Sequence, residues 1–252
     1  MRLISLILCA VFILFGCGSD ETPAPIEEQT PANYFPDAVG SSWVYQNDSG
    51  YEWTREITTG YSADGSDYQR FTYTQLRPDD TLDYLKPDAF RVAENRVFFP
   101  IGEKVDRYVQ DELPILVQDE FAGLELDTAL ETTSHPEFVF FEFPLSPNVE
   151  WDAFNTKVNG SLILQNLVLL QIPLEAQVSI KGKVVAESPL ETPVGSFEQT
   201  YQIEYEIEFT HTLFPEAEVV QQRQTIWFAP HVGIVKIENE NGVTELVAYT
   251  FP

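Results

Sequence analysis

The sequence predicts a mainly β domain built on antiparallel strands, and three observations carry that prediction. Between positions 201 and 210 the odd residues Tyr201, Ile203, Tyr205, Ile207 and Phe209 are apolar, while Gln202, Glu204, Glu206, Glu208 and Thr210 between them are polar. Alternation of this length describes a half-buried strand with one wet face, the usual state in antiparallel sheets. Further β-rich runs, Phe71-Thr72-Tyr73-Thr74, Val97-Phe98-Phe99, Phe138-Val139-Phe140-Phe141 and Thr225-Ile226-Trp227-Phe228, are separated by breaks at Asn95, Pro100, Pro144, Pro230 and Asn241-Gly242. The one helical stretch, around residues 111–130, is weak because Pro114 and Gly123 interrupt it.

The chain starts Met1-Arg2, continues almost wholly apolar from Leu3 to Phe15, and then reads Gly16-Cys17-Gly18. A positive start, a short apolar run and a small residue before a cut are the marks of a secretory signal, and the run falls short of the roughly 20 residues that span a bilayer. Leu14-Phe15-Gly16-Cys17 resembles the bacterial lipobox, in which the cysteine receives lipid; Phe15 is bulkier than the usual residue there. The expectation is a signal peptide over 1–16, cleavage before Cys17 and lipidation of Cys17. An ordinary secretory peptide with a coincidental cysteine is the plainer alternative. Each buried methylene contributes about 0.8 kcal/mol, and stable anchoring takes more than one chain. The several chains that the resemblance implies on Cys17 would therefore hold the protein durably. Gly18, standing where an Asp would favour inner-membrane retention under the enterobacterial rule, points to the outer membrane.

Residues 17–33 are rich in Asp, Glu, Thr and Pro, too polar to offset chain entropy by burial, and are expected to form a disordered tether. The β-rich domain is expected over 34–252. Cys9 and Cys17 are the only cysteines, so the exported domain holds no disulfide and no free catalytic thiol, and its stability must come from its core. Against 14 Lys and Arg stand 40 Asp and Glu, a formal charge of −26. Such a field repels phosphate backbones and excludes nucleic acid as a partner. Solubility or adaptation to salt explains the acidity more simply than cation binding does.

Residues 161–180 carry apolar side chains at both parities, from Leu162 through Ile172 to Ile180. The segment is therefore covered on both sides or lines a cavity; Pro173 with Val178 and Ile180 favours strands over a helix. One internal echo joins Phe35-Pro36 with Trp43 to Phe143-Pro144 with Trp151 at the same spacing, as a duplicated half or by chance.

Tyr34-Phe35-Pro36-Asp37-Ala38-Val39-Gly40-Ser41-Ser42-Trp43-Val44-Tyr45, Thr192-Pro193-Val194-Gly195-Ser196-Phe197 and Trp227-Phe228-Ala229-Pro230-His231-Val232-Gly233-Ile234-Val235-Lys236 resemble motifs of bacterial lipoproteins of the TapB-like group. That resemblance implies a single curved antiparallel sheet or open half-barrel with few helices, similar to the carriers of the Lol lipoprotein system, and is nearly silent on activity. Read physically, Gly40, Gly195 and Gly233 suit turns with positive φ or close backbone approach, beside the bulky Trp43, Phe197 and Trp227.

No catalytic centre is legible. His135, His211 and His231 are scattered, and the sequence holds no zinc-protease, serine-hydrolase, phosphate-loop or dinucleotide motif. No cofactor, metal site or enzymatic activity is expected. Asp64-Gly65-Ser66-Asp67 and Asp79-Asp80-Thr81-Leu82-Asp83 are oxygen-rich enough for calcium, but solvated turn carboxylates account for them as well. The leading expectation is a membrane-anchored, non-enzymatic envelope lipoprotein. Its curved sheet would hold a lipid or lipidated partner on Tyr201, Ile203, Tyr205, Ile207, Phe209 and Trp227, with 162–172 as an opposing wall. The same residues suit a filled core. The alternative is a surface module recognising glycan or protein, calcium-assisted through the acidic loops. The oligomeric state has no signature in the sequence.

Overall fold

Hairpins join most neighbouring strands in a computed structural model that describes residues 34–252, apart from 64, 76–85, 113, 116–125, 165–169, 212–217 and 241. In chain order the elements are β1 (Ser42–Asn47), β2 (Glu52–Ala63), β3 (Ser66–Thr74), β4 (Ala89–Ala93), β5 (Arg96–Phe99), α1 (Gly102–Arg107), β6 (Leu126–Ser134), β7 (Phe138–Glu142), β8 (Glu150–Leu164), β9 (Leu170–Thr192), β10 (Gly195–His211), β11 (Glu218–Ala229), β12 (Gly233–Asn239) and β13 (Gly242–Thr250). They form one 13-stranded sheet in the order β6-β8-β9-β10-β11-β12-β13-β1-β2-β3-β4-β5-β7, and every pairing is antiparallel. Two meanders, β1 to β7 without β6 and β8 to β13, meet where β13 pairs with β1.

The end strands β6 and β7 do not pair with each other, so the sheet is not a closed barrel. It curls strongly all the same. Trp151 of β8 donates from Nε1 to the Val139 carbonyl at 2.9 Å, and the Tyr205 hydroxyl of β10 donates to the Phe140 carbonyl. Strand β7, at one end of the order, therefore lies over the inner face of strands near the other end. Phe138, Phe140, Phe141 and Phe99 are buried there with Phe35, Phe228, Ile203 and Ile226. The rings touch in pairs, Phe140 with Phe141 at 4.2 Å and Phe141 with Phe228 at 4.6 Å between centroids. A fully buried Phe contributes about 1.5–3 kcal/mol, and each aromatic pair about 0.5–1.5 kcal/mol more, so this cluster is a main cohesive element of the described residues, which include no cysteine.

The turn chemistry follows the sequence. Gly40, Gly195 and Gly233 all have positive φ. At Gly233 the need comes from the backbone: φ is +104°, while an added Cβ would meet Nε1 of Trp43 only at an ordinary contact distance of 3.4 Å. The β4–β5 hairpin turns through Glu94 and Asn95, both left-handed, as a two-residue hairpin turn of the primed type demands. Helix begins before the expected stretch and runs into it. It occupies α1, a π-type turn over Tyr108–Glu112 and residues 114–115; residues 116–125 lie outside the described part, and β6 begins at Leu126 inside the stretch read as helical. Pairing with β8 from Leu126↔Leu164 to Ser134↔Thr156 overrides the weak helical pattern there. Segment 161–180 is strand wherever it is described, split between β8 and β9. Residues 1–33, with Cys17, lie outside the described part.

Candidate functional site

Five of the six sequence-predicted site residues share one face of β10. Tyr201, Ile203 and Tyr205 are buried, and Ile207 and Phe209 continue the same face half-buried. The first three face a filled core. The Tyr205 ring stacks on Phe140 at 5.8 Å, lies 5.7 Å from Phe138 and meets Trp151 edge-on at 6.1 Å. Trp227 does not join them: it registers with Gln202, and because side chains alternate across a strand it stands on the opposite face. There Lys236 Nζ sits 4.4 Å over its ring. Nor is 162–172 an opposing wall. Where it is described, this segment pairs β8 with β9 in the same sheet, Leu162 with Ile172 and Leu164 with Leu170, beyond the part of β9 from Ala176 onward that lies beside β10.

An open concavity forms elsewhere, where β3 parts from β4. These strands pair only at Gln69↔Phe90 and Arg70↔Ala89. Beyond them a cleft of about 390 Å³ opens between Tyr61, Ser62, Asp67, Tyr68 and Gln69 on one side and Phe90, Arg91 and Val92 on the other, with Asp37 at its margin. A bulge in the β2–β3 register between Thr58 and Tyr61 shapes it. Gly60 at that bulge has no room for a side chain, since a Cβ would lie 2.3 Å from the Tyr68 carbonyl oxygen.

The walls are held by charge-assisted bonds. Tyr68 donates its hydroxyl hydrogen to Glu137 Oε1 at 2.8 Å. Arg91 binds both carboxylate oxygens of Glu137, from Nε at 2.7 Å and Nη2 at 2.5 Å, and lies 4.0 Å over the Phe98 ring. Tyr61 and Tyr68 face each other across the strands with rings stacked at 5.4 Å, and the Arg70 guanidinium lies 4.6 Å over Tyr61. Ser62 Oγ donates to Asp67 Oδ1 at 2.5 Å. Val92 is an exposed apolar residue on the rim, and Oε1 of Gln69 is buried with no hydrogen-bond partner among the described residues.

Electrostatics follow the contacts. Burial, then the bond to Glu137, pushes the Tyr68 hydroxyl above its ordinary value. Partial burial does the same for Tyr61, with Arg70 pulling back and the charges of Asp88 and Glu103 adding to the rise. Burial acts to raise the Glu137 carboxyl, but the bonds from Arg91 and Tyr68 and the Arg91 charge outweigh it and leave it below the ordinary range. The bond to Glu137 in turn holds Arg91 protonated.

No family model and no curated protein matches this chain. Among solved structures, a Bacteroides fragilis protein described as exported, with a YmcC-like fold, aligns at 13% identity and a TM-score of 0.43 over 87% of this chain and 100% of its own. A protein described as a lipoprotein, from Parabacteroides distasonis, aligns at 14% identity and a TM-score of 0.42 over 87% and 99%.

Of the cleft residues, sequence reasoning reached only Asp67, as part of a calcium loop. Among the described residues no group of three or more His, Cys, Asp or Glu is placed to hold a metal; the loop at 79–83 lies outside them. The one local signal for the cleft is Gly60, an isolated glycine within a strand pattern, which marks a bulge.

Proposed function

We propose that this protein is an exported, non-enzymatic lipoprotein, akin to the TapB-like group, held at the outer membrane by lipid on Cys17, and that it works as a recognition module through the β3–β4 cleft. The signal pattern at Leu14-Phe15-Gly16-Cys17 supports the anchoring. A single observation moves recognition from the concave sheet face to the cleft: β7 covers the inner face of β10 with its own phenylalanines and takes up the Tyr205 hydroxyl. An apolar ligand on Tyr201, Ile203 and Tyr205 would have to displace that strand. The cleft needs no such displacement, and its volume lies within the roughly 300–1,000 Å³ of small-molecule sites.

The anchoring is tested by expressing the chain in a bacterium fed a labelled fatty acid. The protein should carry the label and fractionate with the envelope, and Cys17→Ser should lose both. The recognition site is tested by extracting lipid from protein purified in mild detergent and by thermal shift with apolar probes. Stoichiometric lipid lost on Tyr205→Ala would return recognition to the concave face.

A further inference from the structure

We infer that the end of the domain nearest the anchor rests on a zwitterionic lipid bilayer, through an uncharged apolar patch formed by residues 38–45 and 246–252; this rests on Cys17 carrying lipid. Tyr34 ties the point of entry to the β11–β12 turn, since its carbonyl accepts from the His231 N–H at 2.9 Å and its ring stacks on His231 at 6.2 Å and on Phe143 at 5.3 Å. The same turn holds Trp43, whose indole bonds to the Val232 carbonyl. Trp43 in turn meets Phe251 edge-on at 5.9 Å, and Phe251 lies 5.3 Å from Tyr249. Strands β1 and β13 pair here, Ser42 opposite Thr250 and Trp43 opposite Tyr249. A Cβ on Gly40 would lie 4.0 Å from Cβ of Pro252, so the segment carrying Val39 adjoins the one carrying Tyr249.

Two features set this surface apart. Val39 is 52% exposed and Tyr249 39%, so two of the four large hydrophobic residues exposed among the described ones share one end, with exposed Ala38, Ala248 and Pro252 about them. Neither segment holds a charged side chain, in a chain that is 21% charged and carries a net −26. Apolar side chains left in water gain by entering the acyl boundary, and a tyrosine suits that interface with its ring in lipid and its hydroxyl among the headgroups. Asp37 and Glu56, which pairs with Ser42, border the patch, and Glu191 and Glu198 occupy the β9–β10 hairpin four strands away at the same end. These carboxylates repel anionic headgroups, so the patch selects zwitterionic lipid and the uncharged side is the one that turns to it.

The occupant follows from where the anchor meets the domain. Cys17 and Tyr34 are joined through residues 17–33, and a chain of 17 residues reaches at most about 60 Å in any conformation. Lipid on Cys17 therefore keeps the Tyr34 end near the bilayer, at an effective concentration that a free protein would lack. A patch too small to hold a protein on membranes unaided is then enough to set its orientation.

The orientation is read by electron paramagnetic resonance on the full-length lipoprotein in phosphatidylcholine vesicles. Nitroxides are placed at Val39→Cys, in the patch, and at Ser49→Cys, in the β1–β2 turn at the opposite end; with Cys17 blocked by lipid, each mature variant has one thiol. The ratio of collisions with dissolved oxygen to collisions with a water-soluble nickel chelate should be at least threefold higher at residue 39 than at residue 49. Tyr249→Asp should bring the ratio at 39 down to that at 49 without moving the melting temperature, and replacing half of the lipid by phosphatidylglycerol at low salt should do the same. Equal ratios in phosphatidylcholine, or a high ratio at 39 that survives Tyr249→Asp, overturns the inference, and a high ratio that survives phosphatidylglycerol overturns the preference for zwitterionic lipid. Shielding of residue 39 from both reagents that grows with the protein-to-lipid ratio would assign the patch to a second copy and overturn it as well. Anchoring is judged apart by the fatty-acid label: label present with equal ratios removes the docking alone, whereas label absent from Cys17 removes both.

Discussion

The indole of Trp151 lies across Gly182, its cross-strand partner, so closely that a Cβ on residue 182 would meet ring atoms Cε2 and Cζ2 at 2.3 and 2.4 Å. Trp43 lies less closely beside Gly233, where a Cβ would meet its Nε1 at an ordinary contact distance of 3.4 Å, and it donates its indole N–H to a carbonyl, that of Val232 at 2.6 Å. The two halves of the Phe-Pro-Trp echo thus share an environment: a tryptophan beside a glycine, its N–H taken up by backbone.

Gly182→Ala should consequently be destabilising, although alanine suits a strand no worse than glycine does. Overpacking of this kind costs about 1–3 kcal/mol, and for a domain of this size each kcal/mol lowers the melting temperature by about 2–4 °C. Thermal unfolding followed by circular dichroism should show the fall. A melting temperature within a degree of the parent would mean that the indole does not sit on residue 182.

Tyr45 predicts an alkaline limit to stability. It is wholly buried, its hydroxyl donates to the Ile234 carbonyl at 3.0 Å, and burial, partly countered by the nearby Arg55 charge, pushes its pKa up to about 12. Unfolded, it titrates near 10. Between those values the unfolded chain has lost a proton that the folded one keeps, so stability is intact below about pH 10 and falls as pH rises toward 12, by about 1.4 kcal/mol per pH unit. Urea unfolding at intervals from pH 9 to 12 should show this slope, and Tyr45→Phe should be less stable at pH 8 but flatter across the range.

What was legible in the sequence is what period and turn chemistry encode. The β10 alternation, the positive φ at Gly40, Gly195 and Gly233, and a mainly β antiparallel fold follow from local pattern, while the open, curved form of the sheet was implied only by the family resemblance. What was not legible depends on which strands meet. Nothing local says that Phe138, Phe140 and Phe141 of a short end strand will fill the face in front of Tyr205, or that Trp227, one residue out of phase with Phe228, points the other way. The cleft escaped for the same reason: Tyr61, Tyr68, Arg91 and Glu137 come from separate elements and converge only through the sheet order.

Among the described residues strand β7 has β5 as its single strand neighbour, and two consecutive carbonyls, Val139 and Phe140, are taken up by side chains from β8 and β10. Tyr205→Phe would remove one of those donors and leave the Phe140 carbonyl without its only side-chain donor among the described residues. The expected cost is about 1–3 kcal/mol, read as a lower urea midpoint with an unchanged slope. An unchanged midpoint would show that the Phe140 carbonyl is satisfied in some other way.

The carboxyl of Glu137 ties the two walls of the cleft together, and its response to acid is the sharpest test of that geometry. Burial raises its pKa, but the two bonds from Arg91, the Tyr68 hydroxyl and the Arg91 charge bring it below the ordinary value. A folded pKa lower than the unfolded one, near 4.3, makes a contribution that is present above the unfolded value and is lost as pH falls through the folded one. Protonation would strip Arg91 of its counter-charge and deprive Tyr68 of a charged acceptor at once. Glu137→Gln should therefore be less stable than the parent at pH 7, and the gap should narrow below pH 4 as the parent loses the same charge. Urea midpoints at pH 7, 5, 4 and 3 measure it, and a gap that stays constant through acid would remove the carboxylate from any role in holding the cleft.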